Sequence, residues 1–293
     1  MIYEGDRTGM KNKAYVTLSF DDGRGDNYRT FTEILVPNNI PATLYVTTGY
    51  IERKCTLGAS KDNMPEPMSI HEIIGLHRNS LFEIGAHGDM HKNDFEDIKK
   101  GREKLFEWLG LPEDAKIGFA SPGSYLTKKF VEENRSVFTN MGFQYIRTGS
   151  NFRAFEENKF KQLPCKIFRR LGKKVHSGWL FKKTYGKSIV KCVDGLTLTS
   201  VPAMHDITVK ELKAIVEETK RENAWVIIMF HSILKDSEKN SNNTWSYDYE
   251  KFEQFIRYLV EERDSGKVEI LTTKDAFHIM NKHRLALQGE EKI

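Results

Sequence analysis

The stretch VTLSFDDGRGD, Val16–Asp26, carries a run of strand formers straight into two adjacent carboxylates and a glycine. β-Branched and aromatic residues favour a strand up to Phe20, and Asp21-Asp22-Gly23 ends it. Neighbouring like charges repel, so this pair costs stability unless a turn or a cation uses it. Turn chemistry alone accounts for an Asp-Asp-Gly cap on the helix that follows. The choice between turn and cation is made further along the chain.

The same grammar repeats downstream. Further strands are expected at 42–47, 81–86, 117–120, 144–148, 225–230 and 268–272. Helices are expected at 26–35, 94–109, 127–141, 247–263 and 274–283, with residues beyond Leu285 frayed. Gly142 stops the helix at 127–141. Ser69 with Glu72, and Thr208 with Glu211, have the spacing of capping boxes that open two more helices. Strand–helix alternation over nearly the whole chain predicts an α/β fold of parallel strands joined by helical crossovers, an open sheet or a barrel. No G-x-G-x-x-G follows the first strand, which counts against a dinucleotide-binding sheet. There is no linker and no internal repeat, so one domain over 1–293 is expected. The segment 165–204 departs from the alternation and reads as an insertion with short strands of its own, such as 196–201.

Bulk properties bound the function. With 39% hydrophobic and 29% charged residues among 293, the chain has the composition of a folded globular protein rather than a disordered one. A net charge of +4 makes no case for nucleic acid. The longest apolar run, Ala224 to Phe230, is far too short to span a bilayer. No charged-then-apolar leader precedes the first strand. Cys55, Cys165 and Cys192 lack C-x-x-C spacing and read as reduced thiols. The expectation is a cytoplasmic chain as it stands, with no integral membrane segment; export of a longer precursor and the oligomeric state stay open.

Chemistry-bearing residues stand just past the strands. Asp21 and Asp22 follow the first, His87 and His91 the third, Ser121-Pro122-Gly123 the fourth, and His231 the apolar strand 225–230. In parallel sheets and barrels the carboxyl ends of the strands face the ligand, so these groups should converge on one rim. His87 and His91 have H-x-x-x-H spacing, which brings two imidazoles within reach of one ion. Gly85 and Gly88 suggest a loop entering a helix rather than a full helix. Alone, two such histidines read as exposed residues at a helix start. With Asp-Asp-Gly on a neighbouring strand end, the balance moves to a metal site. Asp22 would complete a His₂Asp set with positions left open for water and substrate, the catalytic arrangement. The cation cancels the repulsion and frees Asp21 to act as a base toward the attacking water. His231, at a strand end opposite the metal, reads as a proton donor rather than a satisfied core histidine.

Together these residues resemble the polysaccharide deacetylases of the NodB-homology family, carbohydrate esterase family four. Ser19-Phe20-Asp21-Asp22-Gly23 is similar to the family's T-F-D-D-G, His87–His91 to its H-x-x-x-H, and Met229-Phe230-His231 to its last motif. Its third motif, usually R-P-P-Y-G, is degraded to Ala120-Ser121-Pro122-Gly123-Ser124. Phe119-Ala120-Ser121-Pro122 resembles the exopolysaccharide branch with an F-A-Y-P-like motif. The likeness runs from about Tyr15 to Phe277. It implies a distorted (β/α) barrel of seven or eight mainly parallel strands, and hydrolytic removal of N-acetyl groups from N-acetylglucosamine-type glycans. It implies one divalent cofactor, zinc first, with cobalt, nickel or manganese as alternatives. Asp21 would be the base, Asp22, His87 and His91 the ligands, and His231 the acid. A backbone N–H near Gly123 would serve the oxyanion, and Pro122 and Met229 would line the substrate pocket. Arg147, at the end of the fifth strand, is the expected substitute for the arginine missing at Ala120. Arg147→Ala is expected to cut turnover and leave metal content and melting temperature intact. Asp206 is the candidate for the aspartate that orients the acid histidine.

Other features carry less. Lys166 to Lys191 holds nine basic residues and no acid, with Phe168, Trp179, Phe181 and Tyr185 interleaved. It suits an anionic glycan or a lipid surface, and a solvated insertion accounts for it slightly better. Trp245, Tyr247 and Tyr249 could stack on sugars or pack the next helix. His71 and His77 are assigned no role. Two other functions compete: a hydrolase of a small cyclic amide or formamide on the same barrel, and an inactive metal-retaining glycan-binding protein.

Overall fold

The computed structural model describes residues 13–57, 65–149, 163–239 and 245–290. Its centre is β1 (Ala14–Phe20), buried along its whole length. Around it run β2 (Ala42–Val46), β3 (Phe82–Ala86), β4 (Ile117–Ala120), β5 (Phe143–Arg147), β6 (Thr197–Leu198), β7 (Val201–Pro202) and β8 (Trp225–Phe230). Their order is β6-β5-β4-β3-β2-β1-β8-β7, and every pairing along it is parallel. Two short strands, β9 (Ser232–Leu234) and β10 (Ser246–Asp248), pair with each other beyond β8. A last strand, β11 (Val268–Ile270), pairs with the first half of β1. The eight-strand path curls into a half-barrel with helices outside it, a distorted (β/α) barrel.

Side chains alternate across each strand, and the alternation divides the core. Val16, Leu18 and Phe20 face the main core beneath the helices. Tyr15, Tyr45, Ala120, Tyr145, Trp225 and Ile227 form a second, inner cluster, closed by Ala276, Phe277 and Met280. These three belong to α11, named below. Room for the inner tyrosines comes from glycine: a Cβ on Gly118 would sit 2.1 Å from the Tyr145 ring. Following the inward rows to the strand ends and one residue beyond gives Asp21 after β1, His87 after β3, Arg147 on β5, Met229 on β8 and His231 after it. The period of two thus aims all five into the barrel mouth.

The helices are α1 (Gly25–Thr30), α2 (Thr48–Ile51), α3 (Ile70–His77), α4 (Phe95–Leu109), α5 (Lys128–Glu133) and α6 (Arg135–Asn140). They continue with α7 (Leu163–Val175), α8 (Gly178–Tyr185), α9 (Val209–Glu222), α10 (Tyr249–Asp264) and α11 (Thr273–Glu290). Both capping boxes form, Ser69 with Glu72 and Thr208 with Glu211. Several expectations are corrected. The helix expected at 127–141 breaks at Asn134, which leaves helical dihedrals while its side-chain amide donates to the Phe130 carbonyl at 2.9 Å. Tyr247 belongs to β10, and Asp248 caps α10 by accepting from the Lys251 N–H. Instead of fraying at 285, α11 continues to Glu290. Within 165–204 most of the ordered structure is helical. The strand expected at 196–201 is split at Thr199-Ser200, where the Ser200 hydroxyl donates to the Thr148 carbonyl at 3.0 Å. Its two halves join the main sheet at opposite ends, β6 beside β5 and β7 beside β8. Among the described residues, no helix is long and apolar enough to cross a membrane.

Candidate metal centre and catalytic cleft

Asp22, His87 and His91 each present one donor atom, all within 4.8 Å of one another. Asp22 Oδ1 lies 3.5 Å from His87 Nε2 and 3.6 Å from His91 Nε2. Ligands about 2.0–2.2 Å from a tetrahedral ion sit roughly 3.3–3.6 Å apart, so the spacing suits one cation. Protonation suits it too. His87 Nδ1 is 2.8 Å from the Ala120 carbonyl, which can only accept, so Nδ1 carries the proton and Nε2 presents its lone pair. Burial, seconded by His91 and Arg147, pushes His87 down to about 3, so the ring is neutral. Asp22 Oδ1 is buried without a hydrogen-bond partner. A buried, unpaired carboxylate oxygen facing two imidazole nitrogens is costly unless a cation sits between them. Burial works to raise the Asp22 pKa, yet the Arg24 guanidinium beside it holds it below the usual carboxylate range.

The ligand-bearing backbone is held against its own preferences. Asp22 has φ 80° and His91 φ 58°, in the left-handed region that non-glycine residues avoid. Such conformations cost on the order of 1–3 kcal/mol and persist when the surroundings over-determine them. For the histidine loop, the surroundings are α4. Asp97 accepts the N–H groups of Asp89, Met90 and Lys92 at 3.1, 2.7 and 3.0 Å. Asp89 is buried against Lys104 and Thr48 at 2.6 and 2.8 Å. Gly101 lets the helix touch the loop, since a Cβ there would lie 2.4 Å from the Gly88 carbonyl carbon. Gly101→Ala is therefore expected to push the loop off α4, at a cost of about 1–3 kcal/mol in stability and a drop in zinc affinity. Denaturant unfolding with metal titration tests this; an unchanged zinc Kd would show that the loop does not depend on α4.

Asp21 is gripped from the other side. Arg147 Nη2 donates to both carboxylate oxygens at 2.6 Å, and Arg147 is fully buried. Its Nη1 donates to the Ser200 hydroxyl at 3.1 Å, and its guanidinium lies 5.0 Å from the Tyr45 ring centroid. Arg147 is the register partner of Ala120 across β4 and β5, so the guanidinium enters from the next strand over. His231 Nε2 is 4.0 Å from Asp21 Oδ2, and its ring lies 4.8 Å from that of Trp245. Burial, opposed by Asp22 and helped by Arg24, brings His231 down to about 4. A cavity of about 310 Å³ is lined by Asp21, Asp22, His91, Pro122, Gly123, Met229, His231 and Trp245, with Tyr125 at its rim. Trp245 therefore reaches the cleft, whereas Tyr247 is buried in the core. The two histidines stand on a loop, not on a helical turn.

One candidate is not in the cleft. Asp206 lines a separate cavity beside Phe168, Arg169 and Tyr185. His231 Nδ1 is buried without a hydrogen-bond partner, so Asp206 does not orient it. Sequence reasoning also missed how α1 secures the centre. Arg24 donates to Asp22 Oδ2 at 2.9 Å and to the Ser232 hydroxyl at 3.1 Å. Asn27 donates to the His231 carbonyl at 2.7 Å. Asp26 accepts the Ile233 N–H at 2.6 Å, and burial pushes its carboxyl up to about 6. The only signal for these was their place directly after Asp-Asp-Gly.

Residues 8–137 match the family model for polysaccharide deacetylases, and that span contains Asp21, Asp22, His87, His91, Pro122 and Gly123. Arg147 and His231 lie outside the matched span. No curated protein matches the chain. Among solved structures, the Streptococcus pyogenes deacetylase PplD is 16% identical at TM-score 0.35, over 45% of this chain and 54% of its own. The chain thus spans about half the length of that protein. The peptidoglycan N-acetylglucosamine deacetylase catalytic domain of Eubacterium rectale is 14% identical at TM-score 0.41, over 88% of each chain. The Bc1960 peptidoglycan N-acetylglucosamine deacetylase is 15% identical at TM-score 0.42, over 92% of this chain and 91% of its own. At these scores the likenesses bear on neither substrate nor mechanism.

Proposed function

We propose that the chain is a divalent-metal-dependent hydrolase that removes N-acetyl groups from N-acetylglucosamine-type glycans. The observation that carries this reading is the buried, unpaired Asp22 Oδ1 between His87 Nε2 and His91 Nε2, with Asp21 and His231 alongside. A mixed nitrogen–oxygen set of this kind favours zinc, with cobalt, nickel or manganese as substitutes. When bound, the ion lowers the pKa of a water toward roughly 7 and polarises a carbonyl.

The chain's own residues supply the rest. Asp21, fixed by Arg147, accepts the proton of the attacking water as the new C–O bond forms. His231 starts neutral because burial lowers its pKa; its 4.0 Å separation from Asp21 exceeds a direct hydrogen bond, so the proton reaches it through a bridging water or substrate atom. It then delivers the proton to the amine as the C–N bond breaks, which an amine needs in order to leave. Pro122, Gly123 and Met229 line the cavity and would border a bound acetyl group. Exposed Tyr125 and half-exposed Trp245 at its rim offer faces on which sugar rings can stack, which supports a glycan over a small closed-pocket amide.

The test is acetate release from an N-acetylglucosamine oligomer. Release that a chelator stops and zinc restores is the expected result. Turnover of a formamide or cyclic amide alone would favour the small-amide hydrolase. Metal-dependent binding of the oligomer without acetate would favour an inactive glycan-binding protein.

A further inference from the structure

Five of the eight exposed large apolar side chains among the described residues lie on two consecutive helices: Leu163, Ile167, Leu171 and Val175 on α7, and Trp179 on α8. The four on α7 recur every fourth residue, which stacks them in one row along the helix. Lys166, Arg170 and Lys174, all exposed, form a second row beside the first. No aspartate or glutamate occurs between Leu163 and Val193. The result is an amphipathic helix turned inside out, with its apolar row toward solvent.

The pair is nevertheless anchored. Phe181 and Tyr185 of α8 are buried in the main core, and Lys182 pairs with Glu218 of α9 at 3.3 Å. Gly172 is buried against Leu180, and the Phe168 and Trp179 rings meet at 6.3 Å. Phe168 and Arg169 share a cavity with Met204 and Ile207, on the segment that follows β7. This places α7 on the rim formed by the strand carboxyl ends, the rim that carries the metal ligands.

What covers the row is decided by charge. A second copy would set two unneutralised rows of cations against each other. A soluble anionic glycan would use the cations and leave the apolar row wet. An anionic bilayer uses both, since the row enters the acyl boundary while lysine and arginine stay among the headgroups. We propose that α7, with Trp179, docks this protein on the surface of an anionic lipid bilayer. The proposal does not depend on the catalytic reading.

Cosedimentation with vesicles tests it, using phosphatidylcholine alone and phosphatidylcholine mixed with phosphatidylglycerol. Binding is expected to the mixed vesicles only, to weaken as salt rises, and to shift Trp179 emission to the blue. Arg170→Gln and Lys174→Gln should each weaken partitioning about fivefold. Ile167→Glu combined with Leu171→Glu should weaken it more than about tenfold. Those side chains are exposed, so thermal unfolding of the variants should match the parent. Failure of the parent to bind mixed vesicles overturns the proposal, as does binding that the double glutamate variant retains. A lipid-free dimer abolished by that variant would assign the row to a second copy instead. Retention on an anionic polysaccharide without vesicle binding would assign the cations to a soluble ligand.

Discussion

Asp21→Asn is expected to reduce acetate release by about 10²–10⁴-fold while zinc content stays near one per chain. His87→Ala is expected to lose activity and zinc together. The two adjacent acids are chemically alike, and their surroundings separate them. Asp22 Oδ1 has no hydrogen-bond donor and faces two imidazole nitrogens. Both Asp21 oxygens accept from Arg147, and Asp21 Oδ2 is 3.9 Å from His87 Nε2, beyond the nearest approach of Asp22. An asparagine at position 21 keeps the shape and one acceptor for Arg147 but cannot take a proton from water. At about 1.4 kcal/mol per tenfold in rate, the expected loss is roughly 3–5 kcal/mol of barrier lowering. Metal content by elemental analysis and acetate release on the same samples decide the matter. An Asp21→Asn protein emptied of zinc would mean that both acids hold the ion.

The residues that sequence could supply are those at strand ends. A strand's period is fixed, so the direction of a carboxylate or imidazole one residue past an apolar run follows from its position in the chain. That is why Asp21, Asp22, His87 and His231 could be gathered on one rim from spacing alone, and why Arg147 could be proposed from its place at the end of the fifth strand. Residues acting across helices and loops gave no such signal. Arg24 looks like a solvated turn residue, and only the curl that brings β8 beside β1 buries it between Asp22 and Ser232. Asp97 reads as an ordinary acid in the first turn of a helix, yet it collects three N–H groups from the histidine loop. Asp206 fails for the opposite reason: closeness in sequence to a helix cap says nothing of closeness to His231. The apolar row of α7 was hidden because every fourth residue is apolar while basic residues fill the gaps, which mimics a solvated segment.

Arg147→Ala is expected to destabilise the fold as well as slow the reaction, which revises the expectation that its melting temperature would be unchanged. The reason is burial. Arg147 and Asp21 form an ion pair with essentially no solvent exposure, so removing the guanidinium strands a carboxylate where water cannot reach it. Breaking such a pair from one side costs about 3–5 kcal/mol. For a chain of this size each kcal/mol lowers Tm by about 2–4 °C, so a fall on the order of 10 °C is expected. Ser200 and Tyr45 also lose their contacts with the guanidinium, which adds to the loss. Asp21→Asn strands the arginine in turn, and the double variant removes the mismatch. The Asp21→Asn/Arg147→Ala protein should therefore be more stable than the sum of the single effects predicts, by roughly 1–3 kcal/mol in a double-mutant cycle. Strict additivity would show that the pair is not coupled in solution. It would also remove Arg147 as the group that positions the base, because an arginine that does not feel the charge on Asp21 cannot orient it.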